Sequence, residues 1–159
     1  MLHVAMEHIV VRSIETPIGQ LAVEVSERGV RGIQFSHLQE NAGTSSLLDT
    51  CLEQLAAYFN GERTSFTNLS LVMEGTSFQA SVWTAALAIP FGETRTYREL
   101  AETIGQPGAA RAVGNALNRN PLPILVPCHR VIPASGGIGK YGGGAWRKAW
   151  LLEHEKMHR

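Results

Sequence analysis

The sequence has little cysteine: Cys51 and Cys128 are the only two in 159 residues. Two thiols cannot build a disulfide framework, and no Cys/His spacing matches a zinc site, so no metal is expected. No run reaches about 18 apolar residues, so no membrane-spanning helix is expected. The N-terminus lacks a basic segment followed by an apolar stretch. No signal peptide is expected, and an intracellular, cytoplasmic location is the default. Net charge is also missing, because 14 Lys+Arg balance 14 Asp+Glu. Taken whole, that zero argues against a phosphate-rich partner.

The zero conceals an uneven distribution. Residues 1–75 contain no lysine, and four arginines face nine acids, for a net of −5. Residues 76–159 carry ten basic residues against five acids, for a net of +5. Such asymmetry fits a nucleic-acid face on one half, or two small domains that merely differ in composition. The expected division is a small α/β scaffold domain over 1–75 and a helical DNA-binding and active-site domain over 76–159. A chain of this length buries roughly two-thirds of its surface, enough for a core without staples.

The first half reads as strands and then a helix. His8–Glu15 is rich in β-branched residues, and Leu21, Val23 and Val25 alternate with polar neighbours over Gln20–Ser26. Val30–Phe35 is a third short strand, and His37–Ser46 is a polar loop. Leu48, Cys51, Leu52, Leu55, Tyr58 and Phe59 then recur at helical spacing until Gly61. Cys51 lies in line with Leu48 and Leu55, so it reads as a core thiol.

The second half reads as helices broken by unusual loops. Thr76 or Ser77 caps a helix that Pro90 stops. Thr96-x-x-Glu99 is a capping-box pattern, with Tyr97, Leu100, Ala101 and Ile104 on one face behind it. Gly105–Gly108 is a turn, and a helix over Ala109–Arg119 completes a helix-turn-helix pattern. Arg111, Asn115 and Arg119 share one face of that helix. Ala109, Ala110, Ala112 and Gly114 keep it thin enough to approach another surface. DNA binding and tight core packing both fit.

The segment Asn120–Pro133 contains Pro121, Pro123, Pro127 and Pro133, which exclude a helix and a central strand. Its apolar residues require burial, and Cys128, His129 and Arg130 sit at its centre. A thiol needs a base to act as a nucleophile, and His129 is the nearest one. In an extended segment the two side chains diverge, so a water or a bent backbone has to connect them. Glu153 and Glu155 are the carboxylates available to orient the imidazole. A buried thiol beside a surface histidine fits equally well. Six glycines over Ser135–Gly144 lack the spacing of a phosphate-binding loop. They suit a wall of backbone groups against a flat ligand. Trp146–Met157 reads as a last helix with Trp150, Leu151 and Leu152 inward.

Pro127-Cys-His-Arg-Val-Ile132 resembles the active-site signature of the O6-alkylguanine-DNA alkyltransferases. The likeness extends through F-G-E-T-R-T-Y, A-A-R-A-V-G, the proline-cysteine loop, G-x-Y-G-G-G and W-L-L-E-H-E. It implies a ribonuclease-H-like α/β first domain, then a mainly α domain with a helix-turn-helix in the DNA minor groove. It implies single-use transfer of an alkyl group from O6 of guanine in duplex DNA (O4 of thymine being a further substrate) to Cys128, with no cofactor.

By motif position, His129 deprotonates Cys128 through a water, Glu155 orients His129, and Asn120 ties the cysteine loop to the recognition helix. Tyr97 crowds the phosphate and donates to the guanine, and Arg111 fills the space left by the flipped base. Ala109, Ala110, Asn115, Arg119 and Arg130 join Tyr97 and Arg111 on the DNA side. Val131, Tyr141, Gly142, Gly143 and Lys148 line the pocket. Some relatives carry serine at the position of Gly142, and some bind zinc in the first domain. Cys51, in a predicted helix, offers no such zinc site. A monomer is expected. The main alternative is a damage-binding protein without transfer, whose defining change is loss of the motif cysteine.

Overall fold

The computed structural model describes residues 7–36 and 38–159. The chain divides into two compact units, with the boundary between Val72 and Met73.

In the first unit, β1 (Val10–Thr16), β2 (Gly19–Ser26) and β3 (Gly29–Gln34) form an antiparallel meander in the order β1-β2-β3. The first strand starts two residues later than His8, and His37 lies outside the described residues. Alternation places Leu21, Val23 and Val25 in the core until a bulge at Glu24/Val25 shifts the β2–β3 register. Helix α1 (Ser46–Phe59) starts where the Ser45 hydroxyl accepts the Leu48 N–H at 3.1 Å, a cap worth about 1 kcal/mol. Its buried stripe of Leu48, Cys51, Leu55 and Tyr58 follows the helical period. Burial pushes the Cys51 thiol up to about 12, so it is inert. A feature with no signal in the sequence is the return of the chain beside β3. There Val30 N–H donates to Ser70 O at 2.8 Å and Val72 N–H donates to Val30 O at 2.9 Å.

The second unit is mainly helical. Helix α2 (Ser77–Leu87) carries a full capping box between Thr76 and Gln79. A two-residue strand β4 (Arg95–Thr96) leads into α3 (Tyr97–Thr103), where Thr96 and Glu99 form the expected reciprocal cap. Gly105 ends α3 at φ +77°. Its N–H bonds Glu102 O at 3.0 Å and the Gln106 N–H bonds Ala101 O at 2.9 Å, the paired closure of a Schellman motif. Helix α4 (Ala110–Asn118) follows, buried along Val113, Ala116 and Leu117. Trp83 in α2 donates its indole N–H to Ala116 O at 2.8 Å and so pins α4 from within.

The proline-rich segment is not uniformly extended. Pro127, at φ −79° and ψ 63°, makes an inverse γ-turn, closed by Cys128 N–H to Val126 O at 2.7 Å. A single 3₁₀ turn over Cys128–Arg130 follows. Next, β5 (Val131–Ile132) pairs in parallel with β4. Helix α5 (Ala145–His158) closes the unit. Of the expected inward residues Trp150, Leu151 and Leu152, Leu151 alone is fully buried, and the other two are half-buried. The buried stripe is Lys148, Leu151, His154 and Glu155, because α5 packs on the polar Cys128 turn and its inward charges are paired there. No helix among the described residues is long and apolar enough to cross a membrane.

Candidate active site

The site is built on the turn that Pro127 starts. Cys128 is 8% exposed and His129 fully buried. Asn120 braces the approach, its amide donating to Val126 O and its carbonyl oxygen accepting the Leu122 N–H, both at 2.9 Å. Within that closed loop Ile124 is held at φ +76°, a conformation that strains a β-branched residue. Asn120 also pulls the Cys128 thiol downward, against its burial. One amide just past α4 therefore braces the backbone of the cysteine loop and bears on its thiol.

Glu155 on α5 is the hub behind the turn. It accepts the Gly92 N–H at 3.1 Å, Arg130 Nε at 2.8 Å and Arg130 Nη2 at 3.0 Å. Its Oε2 lies 2.6 Å from His129 Nε2. Burial pushes the carboxyl up, but His129 and Arg130 outweigh it and hold Glu155 well below the usual carboxylate range. An ionised carboxylate only accepts hydrogen bonds, so the proton of neutral His129 sits on Nε2. Its Nδ1 is then the basic atom. That nitrogen is buried and meets no hydrogen-bond partner among the described residues. Burial also lowers His129 from 6.5, against the pull of Glu155, so the imidazole is neutral at pH 7.

Around the sulfur stand groups from three other elements. Burial raises the Cys128 thiol, while Asn120 and then the Lys148 charge pull it back. Lys148 is 1% exposed, and its ammonium donates to Val131 O at 2.6 Å and to Tyr97 Oη and Lys140 O at 3.3 Å. Burial lowers Lys148 to about 8, with the cysteine opposing it. Tyr97 is half-buried and raised by that burial first and by the charge of Cys128 second. Its ring lies against α4, where a Cβ on Gly114 would sit 3.7 Å from Cε1. Tyr141 is raised well above its ordinary value by burial, and Cys128 adds to the shift. The Val131 N–H is already given to Cys128 O, so only its carbonyl faces Lys148. Gly142 is exposed and Gly143 half-buried, its carbonyl accepting Arg147 Nη1 at 2.7 Å.

On α4, Arg111, Asn115 and Arg119 are exposed, with Ala109 and Ala110 half-exposed at its start. Arg130 does not join this surface. It is 7% exposed, bidentate on Glu155, and its Nη1 donates to Ile89 O at 2.7 Å. Its expected place on the DNA side is therefore corrected: the guanidinium is spent inside the unit and cannot reach a phosphate. Of the two available carboxylates, Glu153 is exposed and Glu155 alone meets the histidine. Sequence reasoning missed the Gly92 N–H and the Ile89 carbonyl, because a backbone group used across the fold leaves no signature. Among the described residues, no group of three or more His, Cys, Asp or Glu could hold a metal ion.

Known proteins resemble both units of the chain. Residues 77–157 match the model of the 6-O-methylguanine DNA methyltransferase DNA binding domain. Residues 9–72 match that of the ribonuclease-like domain of the same family. A methylated-DNA–protein-cysteine methyltransferase of Mycobacterium leprae is 46% identical over 155 residues, covering 91% of each chain. The crystal structure of Mycobacterium tuberculosis O6-methylguanine methyltransferase superposes with a TM-score of 0.85 at 43% identity, over 96% of this chain and 95% of that one. Mycobacterium tuberculosis OGT in complex with DNA gives 0.84 at 45% identity, over 93% of each. With both of its units matched, the chain belongs to the 6-O-methylguanine DNA methyltransferase family.

Proposed function

We propose that this protein repairs DNA by moving an alkyl group from O6 of guanine to Cys128, once per molecule. One observation carries the assignment of the acceptor. Cys128 shares a turn with His129, whose basic Nδ1 is buried without a partner among the described residues while Glu155 holds Nε2. The thiol proton passes through a water to Nδ1, and the ionised Glu155 stabilises the imidazolium that forms. The thiolate attacks the alkyl carbon. The S–C bond forms, the C–O6 bond breaks, and the electron pair leaves with the guanine. Tyr97 meets that developing charge as a hydrogen-bond donor, held in place by Lys148. Overall the thiol proton ends on guanine and the alkyl group on sulfur. Reversal would require the thiolate to leave from an unactivated thioether, and no group among the described residues of the site activates it for that.

The substrate is duplex DNA, with the damaged base flipped into the pocket behind α4. Flipping costs a few kcal/mol of unstacking, less at a damaged base. Arg111, exposed near the start of α4, fills the vacated stack, and Asn115 and Arg119 hold the backbone. The small surface of Ala109 and Ala110 suits close approach to a minor groove. O4-alkylthymine is the secondary substrate. The protein acts as a monomer inside the cell, with access to the genome and with no cofactor.

The decisive experiment is intact-protein mass after incubation with duplex DNA containing O6-methylguanine. A gain of about 14 Da on Cys128, at no more than one equivalent, is expected from covalent capture. Cys128→Ser should bind the same duplex and gain nothing. Repeated turnover or an unchanged mass overturns the reading.

A further inference from the structure

Two residues at the start of α5 have no part in the chemistry above, yet they bear on the wall of the pocket. Trp146 is 57% exposed, the only large aromatic so exposed among the described residues. The Arg147 guanidinium carbon lies 4.6 Å from the centre of the Trp146 ring. The same guanidinium donates to Gly143 O at 2.7 Å, and its charge is felt at the Tyr141 hydroxyl. A Cβ built on Gly144 would lie 3.4 Å from the Trp146 ring, so the indole sits against the end of the glycine loop.

That loop needs external support. Gly136, Gly137, Gly139 and Gly144 all have positive φ, and such backbone has many alternatives in solution. Its backbone is pinned at its two ends, by Gly136 N–H to Pro133 O at 3.3 Å and Gly144 N–H to Tyr141 O at 2.9 Å. Two side chains hold it from α5. Lys148 reaches Lys140 O, and Arg147 reaches Gly143 O. Lys148 is buried and fixed by Val131. Arg147 is half-exposed, and its planar head is set by the indole beneath it.

We propose that Trp146 and Arg147 are positioning residues that clamp the Tyr141–Gly144 wall and thereby decide which O6 substituents the pocket accepts. The proposal rests on the alkyl-transfer reading. A clamped wall is preorganised against a base bearing a methyl group and leaves little room for an aromatic one. Releasing it costs order on the small substrate and admits the large one. Stacking and the Gly143 hydrogen bond each carry a modest effect, so loss of either should shift selectivity by about threefold to tenfold.

The test compares single-turnover rates for duplexes bearing O6-methylguanine and O6-benzylguanine, in the unaltered chain, Trp146→Ala, Arg147→Ala and Arg147→Lys. Arg147→Lys can keep the Gly143 hydrogen bond but loses the planar stack. Tryptic cleavage after the exposed Lys140 reports the order of the loop without reference to chemistry. The benzyl-to-methyl rate ratio should rise in both alanine variants, with Arg147→Lys between them and the unaltered chain, and cleavage at Lys140 should quicken in the same order. A ratio that stays constant overturns the clamp, even if both rates fall together, because a general structural defect lowers both alike. Unchanged cleavage at Lys140 overturns it too. If the unaltered chain transfers neither group to Cys128, the alkyl-transfer reading fails and the clamp falls with it.

Discussion

Arg130 grips Glu155 with two nitrogens, Nε to Oε1 at 2.8 Å and Nη2 to Oε2 at 3.0 Å, inside a unit where both side chains are nearly free of solvent. The pair joins the cysteine turn to α5, and the third guanidinium nitrogen joins both to the end of α2 through Ile89 O. Glu155 is left with one orientation, the one that meets His129. The arginine of the P-C-H-R motif thus works on the far side of the histidine from the thiol.

Removing one partner of this pair should be costly. Arg130→Met leaves a buried carboxylate with half its donors gone, a change worth about 3–5 kcal/mol. Urea denaturation should show that loss, whereas Arg119→Ala should stay within about 0.5 kcal/mol. The DNA data should invert. Arg119→Ala should reduce the salt dependence of binding by about one unit of slope, and Arg130→Met should leave the slope unchanged. A shallower slope for Arg130→Met would return that residue to the DNA surface.

Acid should destabilise the second unit in two stages. Glu155 is held below its ordinary 4.5, so its contribution is complete above that value and is lost as pH falls toward the lowered one. Buried His129, lowered from 6.5, acts with the same sign. Below 6.5 the unfolded chain takes up a proton that the folded chain resists. The thermal midpoint should therefore decline below about pH 6.5 and more steeply below about 4.5. In Glu155→Gln the second decline should shrink relative to that of the unaltered chain. A midpoint that climbs on acidification would refute both assignments.

Arg111 is exposed on α4 and holds nothing together inside the unit. Arg111→Ala should leave stability within about 0.5 kcal/mol. It should slow repair of duplex DNA by at least about tenfold, the equivalent of the ~1.4 kcal/mol expected from a lost stacking group, while reaction with free O6-benzylguanine base is unaffected. Equal losses in both assays would remove Arg111 from base flipping.

The glycines of the pocket wall are not equivalent. Gly142 has no positive φ, and a Cβ there would meet only Asn118 O at 3.8 Å. Gly142→Ser should fold with stability within about 0.5 kcal/mol of the parent. Gly139 is at φ +77°, and a Cβ there would fall 3.0 Å from both Tyr97 Oη and Pro133 Cδ. Gly139→Ala should cost about 1–3 kcal/mol and slow methyl transfer by displacing the Tyr97 hydroxyl. Thermal melts paired with single-turnover rates separate the two cases.

Much of this molecule is legible in local chemistry. The Thr96–Glu99 capping box, the α1 stripe through Leu48, Cys51 and Leu55, and the three-stranded meander all follow from periodicities within one element. So does the shared exposed face of Arg111, Asn115 and Arg119. The P-C-H-R motif likewise marked the thiol and the imidazole that the turn brings together. What periodicity could not carry was the two-residue β4–β5 ladder or the return of Ser70–Val72 beside β3. Strands that short have no pattern of their own and exist only because a distant segment supplies their partner.

Sequence by itself determined the chemistry at hand: a thiol, a histidine and a carboxylate, on a chain whose positive charge lies in its second half. Tertiary structure alone decided how they are used. Pro127 bends the backbone, so Cys128 and His129 share a turn rather than an extended run. Burial keeps His129 neutral, and four converging donors hold Glu155 ionised, which assigns the proton to Nε2 and leaves Nδ1 as the base. The same burial turned Arg130 from an apparent phosphate ligand into an internal strut. A charge read from sequence has a sign but no address, and only packing determines whether it faces water, DNA or another charge.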